Sequence, residues 1–215
     1  MIVGVERVGW RAAQLVVVDL ETTGLDPRVD EVISFAAIPV REGRVRPAEL
    51  VSTLVRPRHP PPAEGIRIHG LRESDLREEP TLGERIELIA AALAGSVLVA
   101  HCAWIETRFL GEALAEHGRS LEGPVIDTMA LGGAVLARRG IACPESPSLD
   151  FLARALGLPV HRPHHADGDA LTTAQVFIAL ASLFDREREP TIGELARARP
   201  PRISTRDRLS RRLRR

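Results

Sequence analysis

The sequence has few of the residues and runs that mark several classes of protein. Its two cysteines, Cys102 and Cys143, form no Cys-x-x-Cys pair, so neither a disulfide framework nor a zinc ribbon is indicated. No apolar run approaches the ~20 residues that a membrane helix needs. The short apolar stretch near the N-terminus contains Asp19, which is unlike a secretory signal. We therefore expect a cytoplasmic protein without a membrane partner.

Lysine and tyrosine are also absent, so all 29 basic residues are arginine, and 29 acids balance them. The charge is unevenly distributed, since residues 185–215 contain eleven Arg against five acids and residues 1–184 contain eighteen against twenty-four. An acidic body that approaches a polyanion needs metal ions or a basic segment to offset its own field. The length suits one domain with an appendage, and we divide the chain into a domain (residues 1–184) and an Arg-rich extension (residues 185–215).

The hydrophobic pattern predicts alternating strands and helices. Strands are predicted over residues 14–20, 31–40, 44–55, 96–100 and 125–126. Helices are predicted over residues 81–94, 103–117, 128–138, 148–157 and 169–184. The proline-rich residues 56–64 are predicted to be a surface loop. Three successive strands followed by strands that alternate with helices predict an α/β fold, with a mixed five-stranded sheet flanked by helices.

Two acidic residues end the first predicted strand. Side chains two positions apart lie on the same face of a strand, so Asp19 and Glu21 present their carboxylates together. Like charges this close require a cation, and oxygen ligands suit Mg²⁺ or Mn²⁺. This spacing of acids is common by chance. The position directly after a buried strand sets this pair apart, because charges there are rarely tolerated unless they are paired or bind a metal.

Two further junctions carry titratable residues. Glu106 lies in the first turn of a predicted helix, where it either belongs to a functional site or helps to cap the helix. Asp169 begins the last long predicted helix, and His164 lies on the loop before it. A histidine there can take a proton from a water molecule, because imidazole exchanges protons near neutral pH.

The loop around His164 has an alternative interpretation as a zinc site. Its ligands would be His161, His164, His165 and Asp167. Ligands so crowded on one loop do not easily close a tetrahedral site. We therefore interpret Asp167 as a solvated loop acid.

These residues belong to three longer motifs. They are D-L-E-T-T-G at residues 19–24, H-C-A-W-I-E at residues 101–106 and H-H-A-D-G-D-A at residues 164–170. In this order they resemble the motifs of the DnaQ-like (DEDDh) family of 3′–5′ exonucleases. Weaker echoes of the family are I-H-G-L at residues 68–71 and V-I-D-T at residues 125–128. The resemblance covers residues 14–184, and three motifs in order are far more specific than one.

The resemblance implies a ribonuclease H-like fold and an exonuclease domain over residues 1–184. It implies hydrolysis of single-stranded DNA from the 3′ end by a two-metal-ion mechanism, with Mg²⁺ or Mn²⁺ as cofactor and nucleoside 5′-monophosphates as product. Asp19 would bridge both ions, and Glu21 and Asp169 would hold one of them. Glu106 would serve the second ion directly or through water, and His164 would be the general base.

The resemblance also implies a pocket for the terminal nucleotide. The residues assigned to substrate binding are Thr22, Thr23, Gly24, Leu25, His101 and Trp104. An ordinary strand-ending turn is the alternative for the first four, and a core position is the alternative for Trp104. Two positions depart from the family, since Glu106 replaces Asp and Cys102 replaces Asn. Glu106 adds a methylene at a site that is sensitive to small displacements, but neither change removes a charge, so we expect an active enzyme.

Two other functions remain open at this point. An RNA exonuclease of the same family is one, because no residue visibly recognises a 2′-hydroxyl. A weakly active nucleic-acid-binding adaptor is the other, and the four intact residues Asp19, Glu21, His164 and Asp169 argue against it. The Arg-rich extension is interpreted as a solvated segment, a tether to nucleic acid, or a docking segment for a polymerase or another protein.

Overall fold

The computed structural model describes residues 4–184 and 187–200. Its strands are β1 (Leu15–Thr22), β2 (Val32–Arg41), β3 (Arg44–Val45), β4 (Val51–Leu54), β5 (Val97–Ala100) and β6 (Val125–Asp127). They form one sheet in the order β3-β2-β1-β5-β6, with β4 also paired to β2. The β1–β2, β2–β3 and β2–β4 pairs are antiparallel, and the β1–β5 and β5–β6 pairs are parallel. The predicted mixed sheet is confirmed.

The prediction of one continuous strand over residues 44–55 is wrong in one respect. It is divided into β3 and β4 by a 3₁₀ turn at Pro47–Glu49. Both parts pair with the same strand, β3 through Val40↔Val45 and β4 through Ala37↔Val51. Proline interrupts the strand because it has no backbone N–H to donate and its φ is fixed.

Eight helices flank the sheet in the described part of the chain. They are α1 (Ala63–His69), α2 (Glu73–Leu76), α3 (Leu82–Leu93), α4 (Trp104–Ala115), α5 (Thr128–Arg138), α6 (Leu149–Ala155), α7 (Ala166–Phe184) and α8 (Ile192–Arg197). The five predicted helices correspond to α3–α7, and α7 begins at Ala166 rather than at Asp169. The helices α1, α2 and α8 were not predicted. Within residues 4–184 and 187–200, every helix falls short of the length or apolarity that crossing a membrane requires.

Strand β1 is the centre of the sheet and is covered on both faces. Leu15 and Val17 belong to one buried cluster, which also contains Phe177 of α7. Val16 and Val18 face the opposite way, into a second cluster with residues of α3 and α4. Because side chains alternate along a strand, the residues that follow Val17 at every second position lie on the α7 side. Asp19 and Glu21 are those residues.

The N-terminal and C-terminal segments of the described chain are joined next to this core. The backbone N–H of Trp10 donates to the carbonyl of Pro190 at 3.2 Å, and that of Ile192 donates to the carbonyl of Val8 at 2.9 Å. Ile192 and Leu195 of α8 are buried in the same cluster as Leu15. The first part of the Arg-rich extension therefore packs against the domain, whereas residues 201–215 lie outside the described residues.

We predict that replacement of Leu195 by alanine destabilises the whole domain. Leu195 is 1% exposed, so its truncation leaves a cavity and costs about 2–5 kcal/mol of unfolding free energy. The control is Leu88→Ala on α3, where the side chain is 39% exposed and a change within about 0.5 kcal/mol is expected. Urea unfolding followed by circular dichroism measures both. Equal stability of the two variants would show that α8 is dispensable to the domain.

Candidate active site

Three acidic side chains from two elements meet at one end of β1. Asp19 and Glu21 come from β1, and Asp169 comes from the first turn of α7. One carboxylate oxygen from each lies within 4.8 Å of the other two. Helix α7 packs against β1, and this packing brings Asp169 to residues far away in sequence. Three of the four acids predicted as metal ligands are therefore adjacent in space.

Burial and mutual repulsion both act on this cluster. Burial raises the pKa of Asp19 well above its ordinary value, and the nearby charges of Glu106, Asp169 and Glu21 raise it further. Burial, with a contribution from Asp169, raises the pKa of Glu21 to about 7. The pKa of Asp169 is raised by burial, against the opposing effect of a hydrogen bond from the backbone of His164. A divalent cation would offset these costs, because oxygen ligands around positive charge favour the ionised form.

Glu106, the fourth predicted ligand, lies in the first turn of α4 and outside this compact group. It is 3% exposed, and its Oε2 has no hydrogen-bond partner among the described residues. Burial raises the pKa of Glu106 to about 8, and the charge of Asp127 adds to the effect. An unpartnered buried carboxylate oxygen is costly, so a simple capping role does not account for it. Its charge acts on Asp19, which places Glu106 at the same site.

His164 precedes α7 on a tightly held loop. The backbone N–H of His164 donates to Oδ2 of Asp169 at 2.8 Å, and His164 is exposed to solvent. The backbone of His164 has a φ of 60°, in the left-handed region. The proposed general base is thus connected directly to one of the proposed metal ligands.

The alternative zinc site is not formed by these side chains. The compact group of possible metal ligands in the described chain contains only the three carboxylates above. His161 instead contacts Oε1 of Gln175 at 3.2 Å. Asp167 forms an ion pair with Arg162 at 2.8 Å, so it is a paired residue of α7 and not a solvated loop acid.

The turn after β1 is held by its own side chains. The hydroxyl of Thr22 donates to the carbonyl of Gly24 at 2.6 Å, and that of Thr23 donates to Oδ1 of Asp30 at 3.2 Å. A Cβ on Gly24 would overlap the carboxylate of Asp30, so a larger residue there would force Asp30 to move. Leu25 is left 62% exposed at the tip of the turn.

The two substrate-binding candidates of the second motif differ in their surroundings. Nδ1 of His101 lies 3.0 Å from the hydroxyl of Thr128, and the histidine is half-buried. Burial lowers the pKa of His101. Trp104 is 43% exposed, so it does not occupy the core position considered above. An exposed indole is available to stack on a base.

A family model described as RNase_T exonuclease matches residues 16–177 of the chain. The chain belongs to this exonuclease family. The predicted resemblance to an exonuclease family is confirmed.

Two relatives of the chain have sequences similar to the same part of it. The exonuclease is 37% identical to the DNA polymerase III subunit epsilon-like protein of Rhodobacter capsulatus, over 77% of this chain and 23% of the relative. It is 34% identical to the PolC-type DNA polymerase III of Thermotoga petrophila, over 81% of this chain and 12% of the relative. The chain therefore spans less than a quarter of these relatives' length. The similarity to each relative is limited to the matched part of that relative.

The fold has a close counterpart among solved structures. Escherichia coli exonuclease I in complex with a dT13 oligonucleotide superposes with a TM-score of 0.70 and 18% identity. The match covers 81% of the exonuclease chain and 42% of exonuclease I. The likeness shows the fold, which is the predicted ribonuclease H-like one.

Two further residues, Asp127 and His69, lie near the site and were only weakly indicated by the sequence. Oδ1 of Asp127 accepts hydrogen bonds from the backbone of Cys102 at 3.1 Å and of Met129 at 2.9 Å, which ties the β5–α4 turn to α5. His69 is buried, and burial together with the charges of His164 and His165 lowers its pKa. The only sequence signals were the weak V-I-D-T and I-H-G-L echoes.

We predict that the metal-free exonuclease loses stability as pH rises. A carboxyl with a raised pKa holds its proton more tightly when folded, so its stabilising effect is complete below its ordinary pKa of 4.5 and disappears as pH rises through its folded value. The window therefore runs from about 4.5 to about 7 for Glu21 and about 8 for Glu106. The expected loss is on the order of a few kcal/mol.

Glu106→Gln tests this prediction, because the amide cannot ionise. Thermal unfolding in EDTA between pH 5 and pH 8 should show a flatter dependence for this variant than for the unmodified chain. Glu78→Gln, at an exposed position, is the control and should leave the slope unchanged. A slope that is the same in all three proteins would contradict the prediction.

Proposed function

We propose that the chain is a 3′–5′ exonuclease that removes nucleoside 5′-monophosphates from single-stranded DNA. The observation that carries the proposal is the meeting of the carboxylates of Asp19, Glu21 and Asp169 beside His164. Acids from separate elements are gathered in this way where a shared cation binds. The relatives named as parts of DNA polymerase III support DNA as the substrate and a cytoplasmic location.

The donor set fits two Mg²⁺ or Mn²⁺ ions. All four side chains offer carboxylate oxygens, which these hard cations prefer, and Oε2 of Glu106 has no hydrogen-bond partner within residues 4–184 and 187–200. Asp19, Glu21 and Asp169 would hold the ions, and Glu106 would contribute directly or through water. Bound divalent ions activate water as a nucleophile and neutralise charge on the attacked phosphate and the leaving oxygen.

The chain's own residues supply the remaining chemistry. His164 is the proposed general base, since an imidazole nitrogen can accept a proton from water and the residue is exposed. The hydrogen bond from its backbone to Asp169 fixes the position of the loop relative to the carboxylates. This connection keeps the proton acceptor and the acidic cluster in one rigid unit.

The terminal nucleotide is proposed to bind against the turn after β1. The hydroxyls of Thr22 and Thr23 are engaged within the turn, so its backbone N–H groups are the better candidates for contact with the 3′-hydroxyl. Leu25 and Trp104 are both exposed and apolar, and they can pack on bases. His101 is held by Thr128 and is proposed to contact the substrate from the same side as Trp104.

The single-stranded DNA substrate is favoured over RNA by the comparisons. Exonuclease I, which shares the fold, was solved with a dT13 oligonucleotide, and the relatives are named as a PolC-type DNA polymerase III and a DNA polymerase III subunit epsilon-like protein. A weakly active adaptor does not account for the intact acidic cluster. The Arg-rich extension is proposed as a tether to nucleic acid or a docking segment for a polymerase.

The central experiment is digestion of end-labelled single-stranded DNA and matched RNA, with Mg²⁺, with Mn²⁺ or with EDTA. We expect 5′-monophosphates released from the 3′ end of DNA, only in the presence of a metal ion, and slower cleavage of RNA. An Asp19→Ala/Asp169→Ala double variant should be inactive, and Asp150→Ala, at an exposed position, should be fully active. Activity that persists in the double variant would come from a contaminant, and faster cleavage of RNA would reassign the substrate.

A truncation tests the proposed tether. Arg197 pairs with Glu6 at 2.9 Å and Ala198 is buried, so the deletion should begin at residue 201 to spare the folded part. Residues 201–215 contain seven arginines, and their removal should weaken binding at low salt and flatten its salt dependence, with kcat unchanged. Fluorescence anisotropy with labelled DNA across a salt series measures this. A salt slope equal to that of the full chain would exclude the tether.

A further inference from the structure

The loop over residues 161–165 has an unusual backbone. Two of its non-glycine residues have positive φ, 32° at Arg162 and 60° at His164. Such conformations are unfavourable for residues with a Cβ and persist only where the surrounding structure enforces them. The loop carries His164 and lies directly over the N-terminal turns of α7. Several contacts from α7 hold the loop there.

One face of α7 provides these contacts. The hydroxyl of Thr172 accepts the backbone N–H of His161 at 3.0 Å and donates to the carbonyl of Gly168 at 2.9 Å. Oε1 of Gln175 lies 3.2 Å from Nε2 of His161. Positions 168, 172 and 175 are spaced by four and three residues, so they lie on the same face of a helix. This face holds the start of the loop.

Gly168 lets the loop approach that face. A Cβ at this position would meet the carbonyl oxygen of His161 and would lie 2.6 Å from that of Arg162. Both obstacles are backbone atoms, so they cannot move aside as the end of a flexible side chain can. Gly168 itself is buried and helical. The need for glycine here is therefore steric and does not come from its own φ.

Two further contacts join the loop to the first turn of α7. The guanidinium of Arg162 pairs with Asp167 at 2.8 Å, and the backbone N–H of His164 donates to Asp169 at 2.8 Å. Asp167 and Asp169 flank Gly168 in the sequence. A displacement of the loop at Gly168 would consequently disturb the contact between His164 and the acidic cluster.

We propose that Gly168 and Thr172 are positioning residues that set the location of His164 relative to the carboxylates. This inference rests on the proposed role of His164 in catalysis. Neither residue contacts the substrate in this scheme, and both act through the backbone of the 161–165 loop. The loop sits directly on α7 because Gly168 has no side chain and because Thr172 ties down its first amide.

The first test is Gly168→Ala, with Gly111→Ala on α4 as the matched control. A Cβ at Gly111 meets no atom within 4 Å, so the control adds the same methyl group to a helix without displacing anything. In Gly168→Ala we expect kcat on single-stranded DNA to fall on the order of 100-fold, as displacement by about 1 Å can cause, with little change in KM. The control should keep the kcat of the unmodified chain.

The second test separates the effect of the Thr172 hydrogen bonds from the effect of the side chain's volume. Thr172→Val keeps the volume but removes both hydrogen bonds, whereas Thr172→Ser retains them. We expect Thr172→Val to lower kcat and Thr172→Ser to restore it. If Thr172 acted on stability alone, Thr172→Val would lower the melting temperature without lowering kcat relative to KM.

Hydrogen exchange of the metal-free proteins provides a measurement that does not depend on activity. Peptides covering residues 158–166 report the amides of His161 and His164, which should exchange faster in Gly168→Ala and Thr172→Val than in their controls. Unchanged exchange, or a kcat of Gly168→Ala equal to that of Gly111→Ala, would overturn the inference. If every protein, including the unmodified chain, lacked nuclease activity, the proposed function would fail, and exchange alone would still decide whether α7 positions the loop.

Discussion

The structure depends on keeping several carboxylates together where repulsion and burial oppose them. The oxygens of Asp19, Glu21 and Asp169 lie within 4.8 Å of one another, and Glu106 acts on Asp19 from α4. Such an arrangement requires rigid support, because flexible side chains would separate to reduce the repulsion. Burial of β1 on both faces provides it. The apolar half of β1 thus holds its acidic end in place.

Helix α7 connects the hydrophobic core to the acidic cluster. Its later turns bury Phe177 and Leu180 against the sheet, and its first turn carries Asp169. The same N-terminal turns hold the loop of His164 through Thr172 and Gly168. A single rigid element therefore fixes a carboxylate and the proposed proton acceptor together. Its apolar packing determines where both of them lie relative to β1.

Much of this could be predicted from the sequence, because local signals agree with the fold. Periodicity predicted the sheet and α3–α7, and the position of Asp19 after a buried strand pointed to the acidic site. Other features depend on tertiary contacts that leave little local trace. The prolines before α1 concealed that helix, and the arginines around α8 concealed the buried Ile192 and Leu195. The requirement for glycine at position 168 arises only from the approach of a distant loop.

Glu106, which departs from the family pattern, has a physical explanation in its surroundings. The residue is 3% exposed and lies near the charge of Asp127, and its Oε2 has no hydrogen-bond partner in the part of the chain that the structure describes. Burial raises the pKa of Glu106 to about 8, so a cation bound nearby would favour its ionised form. The added methylene extends the carboxylate further from the backbone of α4, and Asp127 fixes the turn from which that helix starts. The longer side chain therefore changes the reach of the carboxylate without removing its charge.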